Sequence, residues 1–126
     1  MVGSHTWAHK DLTTLSGDDI NSEMERVEEA LERIIGVKVA FTRPPYGNVN
    51  DLVRQVAHSR GQTLVNWDFD SGDSTGSTAE QSKKAYDTLA QQHPSTILAL
   101  NHETYGMQDL SRDRWKPSAH RHIPSL

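Results

Sequence analysis

At 126 residues, with a formal net charge of −4 and no cysteine, the chain is the size of one domain, and disulfides, thiolate chemistry and cysteine-ligated zinc are excluded. Hydrophobic residues make up 34% and mean hydropathy is −0.70, which predicts an economical core and long polar loops. No basic stripe with interleaved aromatics is present and no apolar run approaches the ~18 residues of a spanning helix, which argues against nucleic-acid and membrane partners.

The chain opens on Ser4-His5-Thr6-Trp7-Ala8-His9, with no signal peptide ahead of it, and so reads as a fragment or a processed form. Residues i and i+4 of a helical turn share a face, so the spacing predicts that the His5 and His9 rings point at one ion. Neutral imidazole suits zinc and other borderline divalent metals, and two histidines make half a site. After a connector at 11–15, Ser16 is an N-cap with Asp19 three residues on, as in a capping box. A long helix follows, with Ile20, Met24, Val27, Leu31 and Ile34 on one face, Ala30 and Ile35 beside it, and Gly36 as terminator. Glu23, Glu25, Glu28, Glu29 and Glu32 are read as its solvated face.

Residues 37–41 are β-branched and aromatic and predict a strand running into Thr42-Arg43-Pro44-Pro45-Tyr46-Gly47, where two prolines forbid regular structure. Asn50 caps a second helix over 51–60, with Leu52, Val53, Val56 and Ala57 inward and Gly61 ending it. A second strand is expected over 63–67, then an acidic loop over 68–73 in which Asp68 belongs to a solvated turn. Thr78-Ala79-Glu80-Gln81 is a capping box for a third helix with Ser82, Ala85, Tyr86, Leu89 and Ala90 inward, closed by His93-Pro94. A third strand over 96–100 ends at Asn101-His102-Glu103. Periodicity fails from Gly106, so 106–126, with His120 and His122, is expected to be an extended or partly disordered tail behind a domain at 1–105. His58 and His93 are assigned to a helix surface and a helix end. Alternating helices and strands predict an α/β fold with parallel strands and outer helices, whose site gathers at the carboxyl ends of the strands.

These residues resemble the polysaccharide deacetylases, the chitin deacetylase and NodB-like family of carbohydrate esterases. Four of the family's five motifs are matched: the Ser/Thr and two His by residues 4–9, the Arg-Pro-Pro-Tyr-Gly loop letter for letter by 43–47, the Trp with spaced aspartates by Trp67, Asp70 and Asp73, and the Leu-x-His by Leu100-Asn101-His102. The resemblance implies a truncated, deformed (β/α) barrel of the NodB-homology type. It implies that His5 and His9 bind a divalent metal, zinc first and cobalt next. By the same resemblance the Tyr46 N–H holds an oxyanion, Arg43 orients acidic partners, and Asp73, with Asp70, positions His102. His102 is then the acid that protonates the leaving amine, while Leu100, Trp67 and Pro45 shape the acetamide site. A metal-activated water attacks the acetyl carbonyl, and acetate leaves an N-acetylglucosamine unit of chitin or a chitin oligomer. The location implied is extracellular or at the cell wall, and open strand edges would favour a homodimer.

The chain also departs from the family pattern. The first motif, a Thr-Phe-Asp-Asp-Gly-Pro segment supplying the base and a third ligand, would precede residue 1, and Asp18-Asp19 is spent at a helix start. Ser74 stands where a tryptophan is usual, which opens one wall of the acetyl pocket. Reduced activity is therefore one expectation, and a homologue that binds metal or glycan without turnover is the alternative.

Overall fold

The computed structural model describes residues 1–103; the tail expected at 106–126 lies outside the described residues. The chain forms two compact units, Met1–Asn66 and a second beginning at Trp67.

In the first unit, a single 3-10 turn at Leu12–Thr14 replaces the expected connector. Asp11 caps it, its Oδ1 accepting from Thr13 N at 3.0 Å, while Leu12 is fully buried. Helix α1 (Gly17–Ile35) begins at Ser16, whose hydroxyl oxygen accepts from Asp19 N. The Asp19 carboxylate returns to the Ser16 hydroxyl at 2.7 Å instead of to the Ser16 N–H, so the expected capping box is half made: Asp is one methylene too short for the reciprocal bond. Gly36, at φ 68°, ends the helix as expected. Strand β1 (Phe41–Thr42) is shorter than the strand expected over 37–41. Helix α2 (Asp51–Ser59) starts at Asn50, which caps Val53 N at 2.9 Å, and β2 (Thr63–Leu64) pairs parallel with β1. On the other side of β1, Ser4 makes a parallel bridge to Thr42: Ser4 N donates to Phe41 O and Arg43 N to Ser4 O, both at 2.9 Å. The parallel order is thus residue 4, β1, β2.

Leu12, Ile20, Met24, Val53 and Ala57 form the core, with Leu15, Val49, Val56 and Leu64 around it. Only the first half of the expected apolar face of α1 is covered; Ile34 and Ile35 are exposed, and so is Leu52 on α2. The solvated reading of the α1 glutamates fails at two positions. Glu23 is buried, and Glu28 lies in a polar network between the helices. Arg60 grips Glu28 through Nε and Nη2, each at 2.7 Å, and reaches Asn21 Oδ1 at 2.6 Å through Nη1. Gln62 Nε2 donates to Glu28, and Thr42 Oγ1 donates to Gln62, which carries the network into β1. The Glu28 carboxylate raises the Arg60 pKa against the opposing effect of burial. Arg60→Ala leaves Glu28 and Asn21 with unfilled acceptors in a half-dry site, so urea denaturation should show a loss of about 2–3 kcal/mol. Arg60→Lys should recover only part of it, because one ammonium cannot make the forked pair.

In the second unit, β3 (Phe69–Asp70) lies inside the segment expected to be loop, and pairs parallel with β4 (Ala99–Leu100). The expected strand at 63–67 is accordingly confined to Thr63–Leu64, and that at 96–100 to Ala99–Leu100. Asp68 is exposed in a bend, as expected, and it also opens the ladder: its Oδ1 accepts Leu98 N at 2.7 Å and its own N–H donates to Leu98 O at 3.0 Å. Helix α3 (Ala79–Gln91) carries the full capping box of Thr78 and Gln81. The buried Ser82 hydroxyl donates to Ser71 O at 2.7 Å, and the Tyr86 ring packs on Phe69 at 4.8 Å, so the helix covers the strand. Among the described residues, no helix is long and apolar enough to cross a membrane.

Candidate functional site

Residues 5–9 are not helical. Thr6 and His9 have φ of 67° and 54°, left-handed values that side-chain-bearing residues rarely adopt. The expected helical turn is therefore replaced by a folded loop, in which the two imidazole centroids are 4.8 Å apart, edge to face. His5 Nδ1 lies 2.7 Å from Arg43 O. A carbonyl only accepts, so Nδ1 carries the proton and the neutral ring keeps its lone pair on Nε2. This is the tautomer in which a metal-binding histidine is usually held by an outer carbonyl. The His9 ring meets the Tyr46 ring at 4.9 Å, also edge to face.

The loop at 43–47 is thus the wall against which the histidines stand. Pro44 and Pro45 are buried, whereas Tyr46, at φ 59° and ψ 4°, projects into solvent. The turn is closed by Gly47 N to Pro44 O and Asn48 N to Pro45 O, so neither closing bond uses the Tyr46 N–H. Asn48 Nδ2 donates to Asp11 Oδ2 at 2.7 Å and Asn66 Nδ2 to Gly47 O at 3.1 Å, which pins both ends of the turn. Hydrogen bonds from Thr13 and Asn48 hold the Asp11 carboxyl below the usual carboxylate range. Arg43 contributes its main chain, with N–H to Ser4 and C=O to His5.

Glu23 was missed as anything but surface. Its Oε2 accepts from Trp7 N at 3.1 Å and Ala8 N at 2.7 Å, the two amides between the histidines, and Lys10 Nζ lies 3.8 Å from Oε1. No sequence signal marks it beyond its place next to Met24 and one turn after Ile20, on the covered edge of α1. Arg26, one turn on, lies over the exposed Trp7 ring at 4.1 Å. The donor chemistry fits a borderline divalent ion: two imidazoles brought together, one with its tautomer set by a carbonyl. Among the described residues no group of three His, Cys, Asp or Glu converges, so this set supplies two ligands.

The second unit holds a separate cluster. His102 Nδ1 is 2.9 Å from Asp73 Oδ1, and the His102 backbone N–H donates to Asp73 Oδ2. The Asp73 side chain is fully buried, while that of His102 is 31% exposed. Burial alone would raise the Asp73 pKa, but the hydrogen bonds from the His102 ring and backbone outweigh it and hold the carboxyl below its ordinary value. As an ion, Asp73 accepts a hydrogen bond from Nδ1–H, which in the neutral ring puts the lone pair on Nε2. Leu100, buried on β4, sits two residues before His102, and Trp67 is half-buried just ahead of β3. Asp70 is exposed; its Oδ1 accepts Gly72 N at 2.8 Å and so shapes the loop that presents Asp73. Burial, then the charges of Asp73 and Asp70, push the Tyr86 hydroxyl up. His58 and His93 are exposed, as expected.

A depressed carboxyl stabilises the fold above its unfolded pKa, and the contribution disappears as pH falls through the folded value. The protection of the His102 amide, corrected for the intrinsic slowing of exchange in acid, should therefore fall as the solution is acidified below the ordinary carboxylate range. Asp73→Asn should abolish that step and leave any acid sensitivity from Asp11 in place.

The family model described as polysaccharide deacetylase matches residues 1–65. A chitin deacetylase from a Pestalotiopsis species is 39% identical over 73 residues, which is 58% of this chain and 24% of that protein. The fold is similar to that of a family 4 carbohydrate esterase from Streptomyces lividans, solved in complex with acetate: TM-score 0.76, 28% identity, 84% of this chain and 53% of the other. It is also shared with a CE4 family pseudoenzyme from Bacillus anthracis, at TM-score 0.73 and 23% identity, over 86% of this chain and 38% of the other. The chain therefore spans about a quarter of the curated relative and about half of the solved esterase. With more than half of its residues matched by the family model, and parallel strands with outer helices of the NodB type, the chain belongs to the polysaccharide deacetylase family.

Proposed function

We propose that this chain carries out metal-dependent hydrolytic deacetylation of N-acetylglucosamine units in chitin or its oligomers, with release of acetate. One observation carries the reading: two segments 38 residues apart meet, with His5 donating to Arg43 O and His9 packed on Tyr46. His5 and His9 would hold a divalent ion, zinc first and cobalt next, and such an ion would supply Lewis-acid chemistry, lowering the pKa of water from about 15.7 to about 7. The chain's own groups supply the other roles except that of the base taking the water proton, which in the family belongs to the first motif. The Tyr46 N–H donates to the oxygen on which charge develops. Asp73 holds the His102 ring through Nδ1, and the protonated ring passes its Nε2 proton to the leaving amine nitrogen. Leu100, Trp67 and Pro45 border the acetamide, Asp70 maintains the loop before His102, and the Arg43 guanidinium orients acidic neighbours.

Substrates follow the order chitin, peptidoglycan, acetylated xylan, and the place of action is outside the cell or at its wall. A second reading, binding of metal or glycan without turnover, is favoured by the pair of imidazoles being joined by no third ligand among the described residues. Acetate release from a chitin oligomer, with zinc or cobalt added, tests the first reading. Metal-dependent retention on the oligomer without acetate would select the second. Homodimer formation through strand edges would appear as melting temperatures that rise with protein concentration.

A further inference from the structure

We infer that Glu23 is a positioning residue: its buried carboxylate sets the separation of the His5 and His9 rings by anchoring the chain between them. The inference rests on the reading that those rings hold a divalent ion. Trp7 and Ala8 are the inner residues of the loop, and their successive N–H groups converge on one oxygen, Glu23 Oε2, at 3.1 and 2.7 Å. Successive amides turned to one side in this way form a concave anion nest, and here the nest is filled by the protein's own carboxylate. Such a nest needs left-handed backbone nearby, which Thr6 and His9 supply. Those conformations are strained for residues with side chains and persist only where surrounding contacts over-determine them.

Burial makes Glu23 an anchor instead of an incidental contact. It is 6% exposed, flanked on α1 by the core residues Ile20 and Met24, so its position is set by the helix packed on the core. A carboxylate at such a place is tolerated only when its oxygens are bonded, and charge-assisted bonds are about twice as strong as neutral ones. Lys10, 3.8 Å from Oε1, balances the charge from the far end of the same loop. The loop between the ligands is thereby tied to the core, and the rings are held together before any ion arrives. Ligands held this way avoid the ordering cost that a mobile loop would meet on binding.

The test compares the full chain with Glu23→Ala, Glu23→Gln and Arg60→Ala. Cobalt(II) uptake is followed by visible absorption with zinc as competitor, and hydrogen exchange is read at the Trp7 and Ala8 amides. Glu23→Ala should weaken cobalt binding about 10-fold or more, the size of effect seen when outer partners of metal ligands are removed. It should also speed exchange at both amides. Glutamine keeps an acceptor oxygen at the same reach, so Glu23→Gln should restore most of the affinity and protection. Arg60→Ala, destabilised away from the loop, should keep wild-type affinity. Wild-type affinity in Glu23→Ala, or an equal loss in Arg60→Ala, would overturn the assignment. If the wild-type chain takes up no cobalt, the ion-binding reading falls by itself; unchanged Trp7 and Ala8 exchange in Glu23→Ala would then overturn the anchoring role separately.

Discussion

His102→Ala should lower acetate release from a chitin oligomer by about 10²–10⁴-fold, the range contributed by a positioned proton donor. An amine leaves an amide poorly unless protonated, and His102 is the partly exposed imidazole whose orientation a buried carboxylate fixes. Alanine also leaves the fully buried Asp73 oxygens with one donor fewer, so stability of the second unit should fall as well. Asparagine separates the two effects. Its Nδ2 can donate to Asp73 where the imidazole Nδ1 does, yet an amide has no proton to give at neutral pH. His102→Asn should therefore recover the melting temperature but not the rate. Cobalt affinity should be unchanged in both variants, because both keep His5 and His9, the ligands of the proposed site. Full activity in His102→Asn would remove this residue from the mechanism and leave it a structural partner of Asp73.

What the sequence disclosed follows from how local each device is. The caps Ser16, Asn50 and Thr78 and the terminator Gly36 act within one turn, so the helix boundaries were legible to within a residue or two. Parallel pairing was legible from the alternation of elements. Strand length was not, because each ladder here spans two residues and stops where the neighbour stops, whatever the β-propensity of 37–40 or 65–67. Strand β3 hid in the acidic run 68–73: its polar residues bond to the backbone at its ends, Asp68 to Leu98 N and Asp70 to Gly72 N. Of the candidate site, the residue types were legible from the motifs but the backbone that aims them was not. Thr6, His9 and Tyr46 all adopt left-handed conformations that their side chains disfavour, and only tertiary contacts hold them there. Glu23 and Glu28 share their spacing with glutamates that do face water; what distinguishes them is which amides and guanidinium lie across from them.

His5→Ala should abolish tight cobalt binding, with a loss of roughly 100-fold or more, since a two-imidazole set is reduced to one. The ring has two tasks that this substitution removes together. In the proposed function its Nε2 would be the ligand atom, and its Nδ1–H occupies Arg43 O at 2.7 Å, which ties residue 5 to the proline loop. Asparagine again divides them: Nδ2 can bond Arg43 O but presents no imidazole nitrogen to an ion, so His5→Asn should keep the loop and still lose the ion. His58→Ala, on an exposed turn of α2, is the control for a histidine outside the cluster and should bind cobalt as the unaltered chain does. Acetate release should fall in His5→Ala in step with ion occupancy, and excess zinc should restore part of it if His9 retains the ion weakly. Cobalt affinity equal to wild type in both His5 variants would place the ion elsewhere, and the meeting of the histidine pair with the proline loop would then be a packing feature only.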